Sequence, residues 1–210
     1  MLDLPDIRQL LIMLPGLLIA LSFHEYAHAR MADYLGDDTP YYQGRLTLNP
    51  LAHIDWLGFF MLLIARFGWA KPVQVNPMNF KGVDIRKGMM LVSLAGPGMN
   101  FLLAVVVAVL MKVVFSLPHT SNTIVVLTLL EPLLLFNVVL GIFNLIPVPP
   151  LDGSKILRGI LPDSQGVLLD NLERYGPIIL LALVFSGIIG RILWPILNFI
   201  LGLFSGFIFA

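Results

Sequence analysis

The chain has 210 residues, 58% of them hydrophobic and only 12% charged, with a mean hydropathy of +0.88. About a quarter of the residues in a soluble domain are charged, so this composition excludes one and points to an all-α protein crossing a lipid bilayer several times. A formal net charge of zero offers nothing to nucleic acid, and the lack of cysteine excludes disulfides and thiolate metal ligands.

The first apolar run spans residues 7–34. It lacks a basic leading region and a small-residue cleavage site, so it is not read as a cleavable signal peptide. Its second half carries His24-Glu25-Tyr26-Ala27-His28, the pattern H-E-x-x-H. On a helix, His24 and His28 project from one face, where both imidazoles reach a single metal ion. The intervening Glu25 is then a candidate base for a water on that metal. The alternative is a pair of packing histidines. Ionisable groups inside a membrane are costly and mostly functional, which favours the metal reading.

Residues 41–49, Tyr-Tyr-Gln-Gly-Arg-Leu-Thr-Leu-Asn, are expected to form a short strand or small β-hairpin. Residues 54–67 are apolar but too short for an easy crossing, and are expected to be re-entrant or interfacial. The stretch that follows, with Pro72 and Pro77, cannot form a regular helix. Residues 88–111, 124–144, 175–190 and 192–210 are the remaining candidate spans, which makes about five crossings in all. Glu131-Pro132 interrupts the third of the five, and Gly16, Gly96 and Gly98 are read as sites of close helix packing.

Seven Lys and Arg residues lie from Arg30 near the end of the first span to Lys87 before the second, none lies in residues 117–123, and Lys155, Arg158 and Arg174 follow the third span. The positive-inside rule then puts the first and third of these connections in the cytoplasm and the N-terminus outside, provided that residues 54–67 do not cross. The C-terminus is expected inside if the last run spans.

A catalytic zinc usually has three protein ligands. His53 and His119 are candidates for the third, but Asp152 is better placed. It follows the span 124–144 and the proline tract Pro147, Pro149, Pro150. The motif helix and that span run in the same direction, so both end on the cytoplasmic side, and His119 falls on the other.

Four segments together resemble the site-2 protease family of intramembrane zinc metalloproteases. They are His24-Glu25-Tyr26-Ala27-His28, Gly68-Trp69-Ala70-Lys71-Pro72-Val73, Ala95-Gly96-Pro97-Gly98-Met99-Asn100, and Phe143-Asn144 through Leu151-Asp152-Gly153. The resemblance implies one Zn2+ held by His24, His28 and Asp152, with Glu25 as catalytic base and Asn144 steadying substrate or oxyanion. The role it implies for Asn100 is less defined.

The likeness is to compact prokaryotic members without PDZ or CBS domains. One membrane-embedded domain is expected over residues 1–210, with a catalytic core at about 7–160 and C-terminal helices at about 170–210. The implied activity is cleavage of single-pass membrane proteins or signal-peptide remnants in regulated intramembrane proteolysis. The implied location is the cytoplasmic membrane, with the site near the cytoplasmic side. The competing reading is a transporter or metal-ion channel using His24, Glu25, His28 and Asp152 as an ion site. A transporter usually shows internal repeats, and no second copy of either motif occurs.

Overall fold

The computed structural model describes residues 7–65, 68–162 and 172–210. Eight helices occur among them: α1 (Ile7–Tyr34), α2 (Thr39–Tyr42), α3 (Trp56–Ala65), α4 (Ile85–Phe115), α5 (Ser121–Asn144), α6 (Asp152–Ile160), α7 (Gly176–Phe185) and α8 (Ile188–Phe209). Four of these, α1, α4, α5 and α8, are long and apolar enough to cross a membrane. The all-α membrane architecture is as expected.

α1, α4 and α5 form the core, and side-chain contacts fix their directions. A Cβ on Gly16 of α1 would come within 2.8 Å of the Leu133 backbone nitrogen of α5. One turn on, the Ala20 carbonyl accepts a hydrogen bond from Asn100 of α4, and Asn100 in turn donates to Asn137 of α5. About two turns further, His28 faces Val92. Rising numbers on α1 therefore meet rising numbers on α5 and falling numbers on α4. α1 and α5 run in the same direction, so the H-E-x-x-H motif and the chain after Asn144 arrive at one end of the bundle. Farther from that end, Ala104, Val107, Ala108 and Met111 of α4 pack on Leu134, Val138 and Ile142 of α5 and Ile208 of α8.

Four expectations change. Residues 41–49 form no hairpin. Asp38-Thr39-Pro40 opens the helical turn α2, with proline in the first turn where its missing N–H costs nothing. The chain then turns through Gly44 at φ +66°. Leu46-Thr47-Leu48 has strand composition but no strand to pair with, because Asn49 caps the 3-10 turn of Pro50–Ala52 directly after it.

Among the described residues four helices, not five, are long and apolar enough to cross. α7 has ten residues and spans about 15 Å, half of a hydrocarbon core of about 30 Å. Leu180 of α7 and Ile189 at the start of α8 share one buried cluster with Leu151, beside the site-bearing end. α8 then runs away from that end, because Lys112 near the far end of α4 donates to the Phe207 carbonyl and Phe115 stacks on Phe209. The C-terminus therefore lies at the end opposite the motif, not at the same end. Gly98 does not serve close packing, since a Cβ there meets nothing within 4 Å.

The described residues 54–65 meet the condition that this stretch does not cross, and residues 66–67 lie outside the described residues. Ile54 and Ala70 form an antiparallel bridge, and the Lys71 N–H donates to the His53 carbonyl at 2.9 Å. The chain leaves and returns at the same place, so α3 between these points does not carry it to the other end of the bundle. Glu131 sits mid-helix on the exposed side of α5, which starts at a Thr120–Thr123 capping box rather than after Pro132.

Candidate metal centre

α1 carries His24 and His28 four residues apart, and their Nε2 atoms lie 3.0 Å from each other. Asp152, the first residue of α6, places Oδ2 3.2 Å from each. Asp152 does not cap its own helix; its carboxylate faces the histidines instead. All three side chains are buried. α6 can reach them because it rests on the early turns of α4, where Gly159 lies against Met90. Gly153 admits the backbone of Leu145 and Ile146, which a Cβ would meet at 2.2 and 2.5 Å.

The protons on the two imidazoles can be assigned from their partners. Asn137 donates to the Leu133 carbonyl, so its oxygen accepts from the Asn100 amide nitrogen at 2.9 Å. That nitrogen also donates to the Ala20 carbonyl at 3.1 Å. Asn100 is thereby oriented with its oxygen toward His24 Nδ1, 2.6 Å away. An amide oxygen accepts only, so His24 Nδ1 carries the proton. His28 Nδ1 faces the Val92 carbonyl at 2.7 Å and carries its proton for the same reason. In the neutral rings both Nε2 atoms are then bare lone pairs, directed at each other and at a carboxylate. Asp152 supplies the third donor, a carboxylate oxygen facing both Nε2 atoms.

Three converging lone-pair donors with one negative charge repel unless a cation joins them. The separations also fit. A tetrahedral ion at about 2.0–2.1 Å from each ligand sets them ~3.3 Å apart, close to the 3.0–3.2 Å edges seen here. Among the described residues, this trio is the group of His, Asp and Glu side chains close enough to share a metal. Nitrogen and oxygen donors in a set of three, with both imidazoles oriented from behind, suit a divalent ion such as zinc.

Gly96 of α4 completes the enclosure. A Cβ there would fall 2.4 Å from His28 Nε2 and 2.7 Å from His24 Cε1, so a residue larger than glycine cannot stand opposite the pair.

Glu25 is buried beside this trio but outside it, and its Oε2 accepts the Val73 N–H at 3.1 Å. Val73 lies in the extended segment 70–76. His53 and Ile54 hold one end of that segment, and Asp37 holds the other by accepting the Asn76 N–H at 2.7 Å. Arg45, also buried, donates to the Ala52 and Lys71 carbonyls and braces the first end. Lys71, Pro72, Gln74 and Asn76 remain exposed along the segment.

Not every expected residue joins the cluster. Asn144 is half-buried at the end of α5, and its amide donates back to the Leu140 carbonyl at 3.1 Å. His53 is buried but bonds Thr47, and His119 rests on Phe115 at the far end of the bundle. Sequence reasoning left Asn100 undefined and passed over Asn137. The signal for both was a fully buried amide in an apolar span, which demands a polar partner.

The family model described as peptidase family M50 matches residues 110–187. Among curated proteins, the chain is 39% identical over 185 residues to the candidate zinc metalloprotease YwhC of Bacillus subtilis, covering 87% of this chain and 84% of that one. It is 30% identical over 187 residues to the candidate zinc metalloprotease Rip2 of Mycolicibacterium smegmatis, covering 86% of this chain and 69% of the relative. It is also 35% identical over 83 residues to the zinc metalloprotease MJ0392 of Methanocaldococcus jannaschii, covering 40% and 23% of the two chains. No solved structure matches the chain significantly. With a relative of this identity matched over most of both sequences, and a helical membrane fold that gathers two histidines and an aspartate at one end, the chain belongs to peptidase family M50, the site-2 protease family.

Proposed function

We propose that this protein is a zinc metalloendopeptidase that cuts the membrane-embedded segments of single-pass proteins or signal-peptide remnants, as in regulated intramembrane proteolysis. The observation that carries this reading is the convergence of His24 Nε2, His28 Nε2 and Asp152 Oδ2, with both Nδ1 protons committed elsewhere. Zinc bound by these three residues would supply a Lewis acid for the peptide carbonyl and an acidified water.

The remaining tasks fall to side chains and backbone. Glu25 takes the proton of the attacking water and passes it to the leaving amine. The Val73 N–H holds the Glu25 carboxylate in one orientation. Asn144 has a second amide proton for the developing oxyanion; where one such donor has been removed from an enzyme the loss is about 2.7–4 kcal/mol. A helical substrate hides its carbonyls in its own hydrogen bonds and must unwind. The exposed segment 70–76 offers it a backbone edge directly beside Glu25, in the manner of strand addition.

The charge distribution supports a cytoplasmic-membrane location with the site near the cytoplasmic face. The basic residues 71–87 and 155–158 lie in connections at the site-bearing end, and the uncharged loop 117–123 lies at the other.

The test is cleavage of a single-span substrate by the full chain in liposomes. Zinc-dependent cleavage lost in Glu25→Gln, with zinc still bound by that variant, supports the assignment. Full activity in Glu25→Gln would overturn it.

A further inference from the structure

A second feature lies away from the metal centre, toward the opposite end of the bundle. A groove of about 480 Å³ runs between α4, α5 and α8, from Phe115 and Phe209 at that end to Leu135 and Leu201 near mid-span. Its walls are mostly apolar, but Thr128 and Glu131 of α5 and Ser205 of α8 lie in them. All three of these polar residues are exposed. The Thr128 hydroxyl donates to the Ile124 carbonyl. No cation among the described residues pairs with the Glu131 carboxylate.

Depth makes that carboxylate costly. Glu131 stands ten residues after Ser121, the first residue of α5. That is about 15 Å along the helix, the middle of a hydrocarbon core of about 30 Å. A glutamate side chain is too short to carry its charge from there to the headgroups. Ionisable side chains inside spans pair with other groups, and one that stands unpaired points to a partner. The surface beside Glu131 has room for a helix. Gly202, one turn before Ser205, and Gly206 would each place a Cβ with nothing within 4 Å, so a neighbouring backbone can come close to α8. A second copy of the chain does not offer the cation. Arg8, Arg30, Arg86, Lys87, Lys112 and Arg191, the basic residues of the four crossings, each stand in the first or last five residues of their helix, and none lies at the depth of Glu131.

We infer that this groove seats a transmembrane helix of another protein that carries a lysine or arginine near its midpoint, with the Glu131 carboxylate as its counter-ion. The hydroxyl oxygens of Thr128 and Ser205 line the same groove and can accept further N–H donors of that cation. The apolar remainder of the groove suits the leucine-rich face of such a helix. This surface goes beyond the proteolytic reading and does not depend on it.

Transmembrane peptides of defined sequence test the groove. The full-length protein, carrying a fluorescence donor on Ala210→Cys, is reconstituted in liposomes with leucine-alanine helices that bear an acceptor at one end. The peptides differ only in their central residue, which is lysine, leucine or glutamate. The expected result is saturable energy transfer with the lysine peptide, and association about tenfold weaker with the other two peptides or with the lysine peptide in Glu131→Gln. Glu131→Lys is expected to reverse the preference and bind the glutamate peptide best, a gain that a misfolded variant would not show. Equal association of the three peptides, unchanged binding of the lysine peptide by Glu131→Gln, or no reversal in Glu131→Lys overturns the inference. So does self-association of the wild type that excludes the lysine peptide, since the groove would then seat a second copy. Glu25→Gln is expected to bind the lysine peptide as the wild type does, so failure of the proteolytic reading and failure of the docking surface are separable.

Discussion

Asn100 accepts the Nδ1 proton of His24 at 2.6 Å while its own amide nitrogen donates to Ala20 and Asn137. The bond reaches from α4 to α1 across 76 positions of sequence and decides which nitrogen of His24 is free for a metal. Partners behind a ligating histidine fix its ring and raise its basicity, and their loss typically lowers metal affinity by about 10–100-fold. Asn100→Ala is therefore expected to weaken zinc binding by about that factor, measured by competition with a calibrated chelator. Asn137→Leu removes only the anchor of Asn100 and is expected to lower affinity in the same direction by less. Unchanged affinity in both variants would mean that the ring is held by packing alone.

Gly96 and Gly98 stand two residues apart in one helix and should behave differently. A Cβ at Gly96 falls 2.4 Å from a proposed ligand atom, and one at Gly98 meets nothing. Gly96→Ala is expected to abolish retention of zinc through purification while the protein still inserts and extracts normally. Gly98→Ala is expected to keep its zinc and to gain up to about 1 kcal/mol of helix stability from the better propensity of alanine. Metal content by elemental analysis and thermal unfolding separate the two.

Much of the site was legible because it is local or carries a strong rule. His24 and His28 share a helix face by spacing alone, and Asp152 follows from the direction of two spans, which the packing of Gly16 on Leu133 repeats in atoms. What escaped the sequence is non-local or balanced between outcomes. The link from Asn137 through Asn100 to His24 depends on how three helices dock, and no periodicity in one helix reports that. Residues 41–49 have strand-forming side chains, but a strand needs a partner, and proline and asparagine on both sides impose helical turns instead. The apolar stretch 175–190 is hydrophobic enough to suggest a crossing. Gly187 in the left-handed region, at φ +73°, breaks it after the ten residues of α7.

Asp37 gives the site region a dependence on pH. It is buried just after α1 and accepts hydrogen bonds from Thr39, Asn79 and Asn76, fixing the far end of the segment that meets Glu25. Burial pushes its carboxyl up, but these bonds outweigh that and hold it below its ordinary value of 3.8. A carboxyl depressed on folding adds stability that is fully present above 3.8 and is lost as the pH falls through the lower folded value. Asp37→Asn is expected to unfold more readily at pH 7, by about 1–3 kcal/mol for the charged hydrogen bonds it weakens. The difference from wild type should shrink only below about pH 4, where the unfolded carboxyl begins to protonate. Thermal unfolding of both proteins from pH 7 to pH 3 checks this, and a gap that closes already near pH 6 would assign the effect to another group.

The path of the chain predicts where its end lies. The bridge between Ile54 and Ala70 returns α3 to its starting side, and α7 is too short to cross, which leaves α1, α4, α5 and α8 as crossings. An even number of crossings puts the C-terminus on the same side as the N-terminus and opposite the metal centre. The protein contains no cysteine, so single substitutions report without background. Cysteine introduced at Ala210 or at His119 is expected to react with a membrane-impermeant maleimide from the same face of sealed, uniformly oriented vesicles. Cysteine introduced at Gln74, on the exposed segment beside Glu25, is expected to react from the other face. Five crossings, as hydropathy alone suggests, would instead label Ala210→Cys and Gln74→Cys from one side. That outcome would require α7 to stretch through a thinned bilayer, a strain that the single buried cluster of Leu180, Ile189 and Leu151 argues against.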